Sequence, residues 1–157
     1  MTLRGTLPLS VAEGPAEEER DDASAELLAA VDAARAGNVD LQELMRAFRR
    51  AVLAVEVIPA AAGHTLRQVW YEGLCWLPVF SDLRQLAGFF HEAGWTEEVD
   101  YGLLSGAELI DECLPRLPHG TGIMLDAVGE RPFALPPVVG IVPESLAVAT
   151  PEEEPSR

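Results

Sequence analysis

Residues 74–82, LCWLPVFSD, and residues 83–90, LRQLAGFF, decide the fold of this chain. The first run is apolar and aromatic, and it ends at Ser81 and Asp82, two residue types that cap helix N-termini. Asp82 and Gln85 also have the spacing of a capping box. The stretch therefore predicts a buried strand that leads directly into a helix. Pro78 has no N–H to donate to a ladder, which predicts an edge position or a bulge at that point.

The alternation of strands and helices continues after this stretch. A short strand is predicted at residues 101–104, and Ser105 with Glu108 forms an S-x-x-E capping box that begins the next helix. Pro115 ends that helix. The glycine turn at residues 120–122 leads into a strand at 123–126, and a final strand is predicted at 132–135.

Two helices and two strands are predicted before the stretch. Ser24 is the predicted N-cap of a helix that stops at Gly37, and Asp40 begins a second helix. The strands are predicted at residues 51–58 and 66–72, and Glu72 and Gly73 predict a hairpin turn that leads into the strand at 74–80. The order ααβββαβαββ predicts an α/β (α+β) domain with a mixed sheet of about five to six strands and helices packed against it.

The length of 157 residues fits one domain, since domains are commonly about 100–150 residues long. Residues 1–22 carry glycines, prolines and an acidic run, and they are predicted to be a disordered acidic N-terminal arm. Residues 23–143 are predicted to form the domain, and residues 144–157 an acidic tail.

The net charge of −15 limits the kinds of partner. Nucleic acid and anionic membrane surfaces are excluded as predicted partners, because both require clustered cations. All eleven basic residues are arginine. The absence of lysine excludes Schiff-base chemistry and a P-loop lysine.

The predicted location is the cytoplasm. Acidic residues stand where the apolar core of a signal peptide is expected, and no window reaches the roughly 18 apolar residues of a membrane span. Cys75 and Cys113 both lie in apolar surroundings. They are interpreted as buried small apolar residues in a reducing compartment, with a disulfide or a reactive thiol as the alternative.

The sequence contains no recognisable catalytic or cofactor motif. His64, His91 and His119 are scattered and lack the short paired spacing of metal ligands, so neither a metal nor a cofactor is predicted. Ser81 and Ser105 precede helices, where capping accounts for them. Adjacent carboxylates, as at residues 111–112, are typical of a solvated surface. No catalytic residue is predicted.

The aromatic residues give the best candidate surface. Aromatic side chains are enriched among the residues that dominate protein interfaces. Strand alternation places Trp76, Pro78 and Phe80 on one face, and a face without helix cover would be the binding site. The candidate partner surface consists of Trp70, Trp76, Phe80 and Trp95.

Five segments carry a resemblance to a known family. They are residues 37–40 (GNVD), 52–57 (VLAVEV), 76–82 (WLPVFSD), 103–109 (LLSGAEL) and 118–126 (PHGTGIMLD). Together, over about residues 36 to 136, they resemble the SseB N-terminal-like family of small bacterial α/β proteins. The family's last strand commonly ends in Asn-Pro, where this chain has Asp126 and Ala127. The resemblance implies an accessory or regulatory role without catalytic residues, and some related proteins are labelled as associated with type VII secretion.

Three functional hypotheses follow. The favoured one is a non-catalytic protein-interaction or regulatory module, which predicts a defined protein partner. The second is an enzyme of unrecognised type using carboxylates with His91 or His119; it requires a pocket holding at least two titratable groups with opposed pKa shifts. The third is a homodimeric module in which an edge strand near Pro78 or Leu135 pairs with a second copy.

Overall fold

The computed structural model describes residues 3–7, 17–38, 40–61, 63–95, 98–138, 141–142 and 147. They form a mixed α and β domain. The strands are β1 (Leu3–Leu7), β2 (Val52–Ala60), β3 (Gly63–Leu66), β4 (Val69–Tyr71), β5 (Leu74–Val79), β6 (Val99–Ser105), β7 (Gly122–Leu125) and β8 (Phe133–Leu135). The helices are α1 (Glu17–Arg35), α2 (Leu41–Arg50), α3 (Leu83–Glu92) and the short α4 (Gly106–Glu108). A π-helical segment, Leu109–Cys113, and a 3-10 turn, Leu114–Arg116, continue from α4.

The strands form two four-stranded sheets in the orders β1-β6-β2-β3 and β4-β5-β7-β8. All neighbouring strands are antiparallel except β5 and β7, which are parallel. Ala54 and Phe80 link the two sheets, because each donates its N–H to the other's carbonyl at 2.8 and 2.9 Å. The predicted mixed sheet with packed helices is confirmed, but the described residues contain eight strands instead of five or six.

Pro78 occupies a local gap in the hydrogen bonding of β5. Pairing with β4 ends at Trp76, and the N–H of Phe80 points to Ala54 on the same side of the strand. Residues two apart in a strand direct their N–H groups to the same side. The nitrogen of Pro78 therefore faces the space between β4 and β2, where no ladder bond is lost. The strand itself is not at the sheet edge, since β7 pairs with it on the other side.

The helix caps follow local chemistry. Asp40 and Asp82 accept hydrogen bonds from the N–H groups of Glu43 and Gln85 at 3.2 and 2.9 Å, and Ser105 forms the predicted capping box with Glu108. Gly37 follows the end of α1 with a φ of +90°, a conformation that glycine commonly adopts after a helix.

Several boundaries differ from the predictions. Ser24 is not an N-cap, because α1 begins at Glu17. β2 continues through Pro59 to Ala60, and the predicted strand at 66–72 is divided into β3 and β4. The helix predicted after Ser105 is α-helical for only three residues before it becomes π-helical.

The structure describes two parts of the predicted disordered arm, residues 1–22. Residues 3–7 form β1, which pairs with β6, and the acidic run from Glu17 belongs to α1. Residues 8–16 lie outside the described part, as does most of the predicted tail at 144–157.

Two apolar clusters make the core. The larger one joins α1, α2 and the π segment to one face of both sheets, through residues such as Leu27, Phe48, Leu53 and Leu77. The smaller one places α3 against the opposite face of β2 and β6, around Phe80, Leu86 and Phe90. Alternation along β2 serves both clusters, since Leu53 and Val55 belong to the first and Ala54 to the second.

Candidate functional site

The second sheet, β4-β5-β7-β8, has two very different faces. Cys75, Leu77 and Val79 of β5 are at most 2% exposed, and Leu77 and Val79 join the larger core cluster. On the other face, α3 reaches only the end of β5, where Phe80 packs in the smaller cluster. The helices thus cover one face of this sheet and only one end of the other.

The uncovered part of the sheet is apolar and aromatic. The strand registers place on it Val69 and Tyr71 from β4, Leu74 and Trp76 from β5, Met124 from β7 and Ala134 from β8. Tyr71 is 61% exposed, Leu74 is 50% exposed and Ala134 is also exposed, whereas Val69, Trp76 and Met124 are half-buried. None of the six belongs to either core cluster of the described residues. We call these six residues the open face. Contiguous exposed apolar groups of this kind mark interaction sites on soluble proteins.

The predicted partner surface is partly corrected. Trp76 lies on the open face, but Phe80 is only 1% exposed, because α3 covers it with Phe89 at a ring distance of 5.4 Å. Trp70 is 67% exposed, yet it is paired with Cys75 and so belongs to the opposite face of the sheet. Trp95 follows α3 and packs edge-on against Phe90. The structure does not bring these four aromatic residues together.

Tyr71, Leu74 and Met124 were missed by the sequence analysis. The sequence did contain the information needed to place Tyr71 and Leu74. The predicted hairpin turn at Glu72 and Gly73, which the structure confirms with φ values of +52° and +81°, pairs Tyr71 with Leu74 on one face. Met124 required the parallel pairing of β5 with β7, which local sequence does not determine.

Trp76 is held flat against the sheet by the absence of a side chain at Gly122. A Cβ at Gly122 would lie 2.7 Å from an atom of the indole ring. The indole nitrogen Nε1 is buried and has no hydrogen-bond partner among the described residues. A buried unpaired N–H costs about 1–3 kcal/mol.

We expect Trp76→Phe to change the free energy of unfolding by less than about 1 kcal/mol, although it removes buried ring area. The loss of area is offset because the unpaired N–H is removed as well. Urea unfolding followed by far-UV circular dichroism measures the change. Trp70→Phe is the control, since that indole is exposed. A loss above about 2 kcal/mol for Trp76→Phe would contradict this expectation.

A cavity of about 300 Å³ lies against the first sheet, β1-β6-β2-β3, whereas the open face belongs to the second sheet. Its walls come from β2, β3 and β6 and from the segment after α4. The lining residues are Val57, His64, Thr65, Leu66, Gly102, Leu104, Glu108, Glu112, Cys113, Arg116 and Leu117.

Two titratable groups in this cavity have opposed pKa shifts. Burial, with Glu112 and Glu108 nearby, raises the pKa of the Cys113 thiol. Burial alone would raise the pKa of Glu108, but hydrogen bonds from Ser105 act the other way and the pKa is lowered overall. Both pKa values are therefore displaced further from 7. The thiol stays protonated at neutral pH and is a weak nucleophile, and the carboxylate stays ionised.

The histidines do not form a site together. His64 lines the cavity, His91 is exposed in the last turn of α3, and His119 is exposed before β7. Within the described ranges, no group of three or more His, Cys, Asp or Glu residues is arranged to hold a metal ion. Cys75 is buried, Cys113 is half-buried, and both are free thiols.

Ser81 has a role that the sequence analysis did not predict. Its N–H and its hydroxyl both donate to the carboxylate of Asp126, at 2.8 and 2.6 Å, and both residues are buried. Burial raises the pKa of Asp126, and Asp82 acts in the same direction, although the bonds from Ser81 lower it. These bonds tie the end of β5 to the end of β7. The pair stabilises the entry to α3 and is not near the cavity residues.

No protein-family model, no curated protein and no solved structure matches the chain. Among the residues that the structure describes, no helix is both long enough and apolar enough to span a membrane.

Proposed function

We propose that the chain is a non-catalytic protein-interaction module of the accessory or regulatory kind, and that the open face binds its partner. The observation that carries the proposal is the uncovered patch around Tyr71, Leu74 and Trp76. Aromatic residues at the centre of such a patch supply most of the energy in many interfaces. The resemblance to SseB N-terminal-like proteins supports an accessory role, for some of them linked to type VII secretion.

The proposed partner is a positively charged polypeptide with apolar side chains. The chain has a net charge of −15, and Glu72, in the turn beside Tyr71 and Leu74, is exposed. Two copies of the chain would repel each other over the Debye length, about 8–10 Å at physiological salt. A basic partner would instead be attracted, and its association rate would fall as salt is added. The proposed location is the cytoplasm, which suits a chain with two free cysteines.

The non-catalytic part of the proposal is supported by the pKa directions in the cavity. Glu108 and Cys113 are shifted away from neutral pH, whereas an acid–base pair works best when its pKa values lie near the operating pH. Of the two edge strands that the homodimer hypothesis named, only one lies at a sheet edge among the described strands. β8, which contains Leu135, is at the edge of its sheet among the described strands, whereas β5 with Pro78 is not.

Leu74→Asp is expected to weaken partner binding at least about tenfold, because it places a charge at the centre of an apolar interface. Affinity capture from a lysate of the protein's own host, followed by quantitative mass spectrometry, compares this variant with the wild type. Leu41→Asp on α2 is the matched control, since Leu41 is also apolar and 38% exposed but lies on the helical side.

The proposal requires a basic protein that the wild type and Leu41→Asp capture equally and that Leu74→Asp loses. Capture unaffected by Leu74→Asp would contradict the use of the open face. Light scattering on the purified wild type tests the homodimer, and a dimer that Leu74→Asp dissociates would show that a second copy covers this face.

A further inference from the structure

The cavity beside the π-helical segment has an apolar inner wall. Val57 and Leu104 are buried and project from β2 and β6, while Leu66 and Leu117 are half-buried and pack against the larger core cluster. Its volume of about 300 Å³ is at the lower end of the range for ligand sites. The cavity is therefore suited to a small molecule with an aliphatic portion.

Three charged side chains line the cavity: Glu108, which is half-buried and bonded to Ser105, and the exposed Glu112 and Arg116. Glu112 and Arg116 both line it and are both exposed, and they are four residues apart on the segment that follows α4. The N–H of Leu114 donates to the carbonyl of Leu109, five residues back, so the chain is π-helical here. Irregular π turns of this kind occur frequently at functional sites.

These two charges are not paired with each other or with any other described residue. Four other arginines make ion pairs, for example Arg49 with Asp111 and Arg67 with Glu56, whereas neither Glu112 nor Arg116 forms an ion pair or a side-chain hydrogen bond within the described part of the chain. Opposite charges four residues apart on a helix commonly pair. Here both remain available at the mouth of one cavity.

We propose that this cavity binds a small aliphatic zwitterion of the α-amino acid class. The guanidinium of Arg116 would take the carboxylate in a bidentate contact, and the carboxylate of Glu112 would take the ammonium group. The aliphatic side chain would rest on Val57, Leu66 and Leu104. A ligand with only one of the two charges would leave the other protein charge unpaired, and this gives the site its selectivity.

The protonation state of the Cys113 thiol is compatible with a bound amino acid. Its thiol lines the same cavity, and burial with the nearby carboxylates of Glu112 and Glu108 raises its pKa. The thiol is therefore neutral at pH 7 and does not compete for the ammonium group. The cavity lies against the first sheet and shares no residue with the open face of the second sheet, so the inference is independent of the proposed function.

Isothermal titration calorimetry on the full chain tests the proposal with three probes: L-leucine, 3-methylbutylamine, which lacks the carboxylate, and 4-methylpentanoate, which lacks the amine. We expect saturable binding of leucine, at least about tenfold tighter than binding of either analogue. Glu112→Gln should make leucine no better than 4-methylpentanoate, and Arg116→Gln should make it no better than the amine.

The matched controls are Glu130→Gln and Arg84→Gln, which make the same changes at exposed positions outside the cavity. They should bind leucine like the wild type. Urea unfolding of each variant checks that the fold is retained. The proposal is overturned if leucine shows no saturable binding, if either analogue binds as tightly as leucine, or if both cavity variants leave leucine binding unchanged.

Discussion

Gly106→Ala is expected to destabilise the fold by at least about 3 kcal/mol, a large part of the roughly 5–15 kcal/mol that holds a domain together. Gly106 is buried where α4 crosses α2, and its N–H donates to the carbonyl of Ala51 at 3.0 Å. An added Cβ would overlap the carbonyl oxygen of Phe48 and would lie 2.6 Å from the carbonyl carbon. Since both are backbone atoms of a packed helix, α2 and α4 would have to separate.

Gly88→Ala is the matched control for this substitution. Gly88 lies within α3, and a Cβ there meets no atom within 4 Å. The same chemical change should stabilise the protein by about 0.5–1 kcal/mol, because alanine is the better helix former. Urea unfolding of both variants measures the difference. A loss of less than about 1 kcal/mol for Gly106→Ala would mean that α2 and α4 are not packed as closely as described.

Asp126→Ala is expected to cost about 2–4 kcal/mol, because it leaves the buried N–H and hydroxyl of Ser81 without an acceptor. Asp126→Asn is instead expected to increase the free energy of unfolding. Asparagine can still accept the N–H, and its amide can donate to the hydroxyl of Ser81. It also tolerates the φ of +49° at this position and no longer buries a charge.

The stability of Asp126→Asn relative to the wild type should depend on pH, and the direction follows from the pKa of Asp126. Burial raises the pKa of Asp126 above its unfolded value of about 3.9. Its contribution to stability is therefore complete below the unfolded pKa and is lost as the pH rises through the folded pKa. The advantage of Asp126→Asn over the wild type should be smallest at about pH 4 and should grow as the pH increases towards about 8.

Urea unfolding over this pH range tests the prediction, and Glu130→Gln serves as a control that removes the same charge from an exposed site. The control should show no such trend relative to the wild type. An advantage for Asp126→Asn that shrinks as the pH rises would show that the carboxylate is stabilised in its ionised form.

Local chemistry explains what the sequence predicted well. The caps at Asp40, Asp82 and Ser105 depend on side chains that bond to a backbone N–H three residues away, so their spacing alone identified them. The hairpin turn at Glu72 and Gly73 is equally local. These elements gave the correct order of strands and helices between residues 40 and 135, except that the strand predicted at 66–72 is divided into β3 and β4.

The missed elements depend on distant partners. β1 is only five residues long and pairs with β6, with Leu3 opposite Leu103, so nothing in its own composition marks it as a strand. Phe80 was placed on the correct face of β5, but the sequence did not show that α3 covers that end of the face. The Ser81–Asp126 bonds join residues 45 positions apart, and spacing rules do not reach that far.

The position of β3 and β4 has a consequence for how this protein can diverge. These two short strands are inserted between β2 and β5, which already meet directly at Ala54 and Phe80. The β4–β5 turn carries Tyr71 and Leu74 at its two ends, outside both core clusters. If the proposed function holds, changes in the length or sequence of this tip would alter partner binding without touching either core cluster.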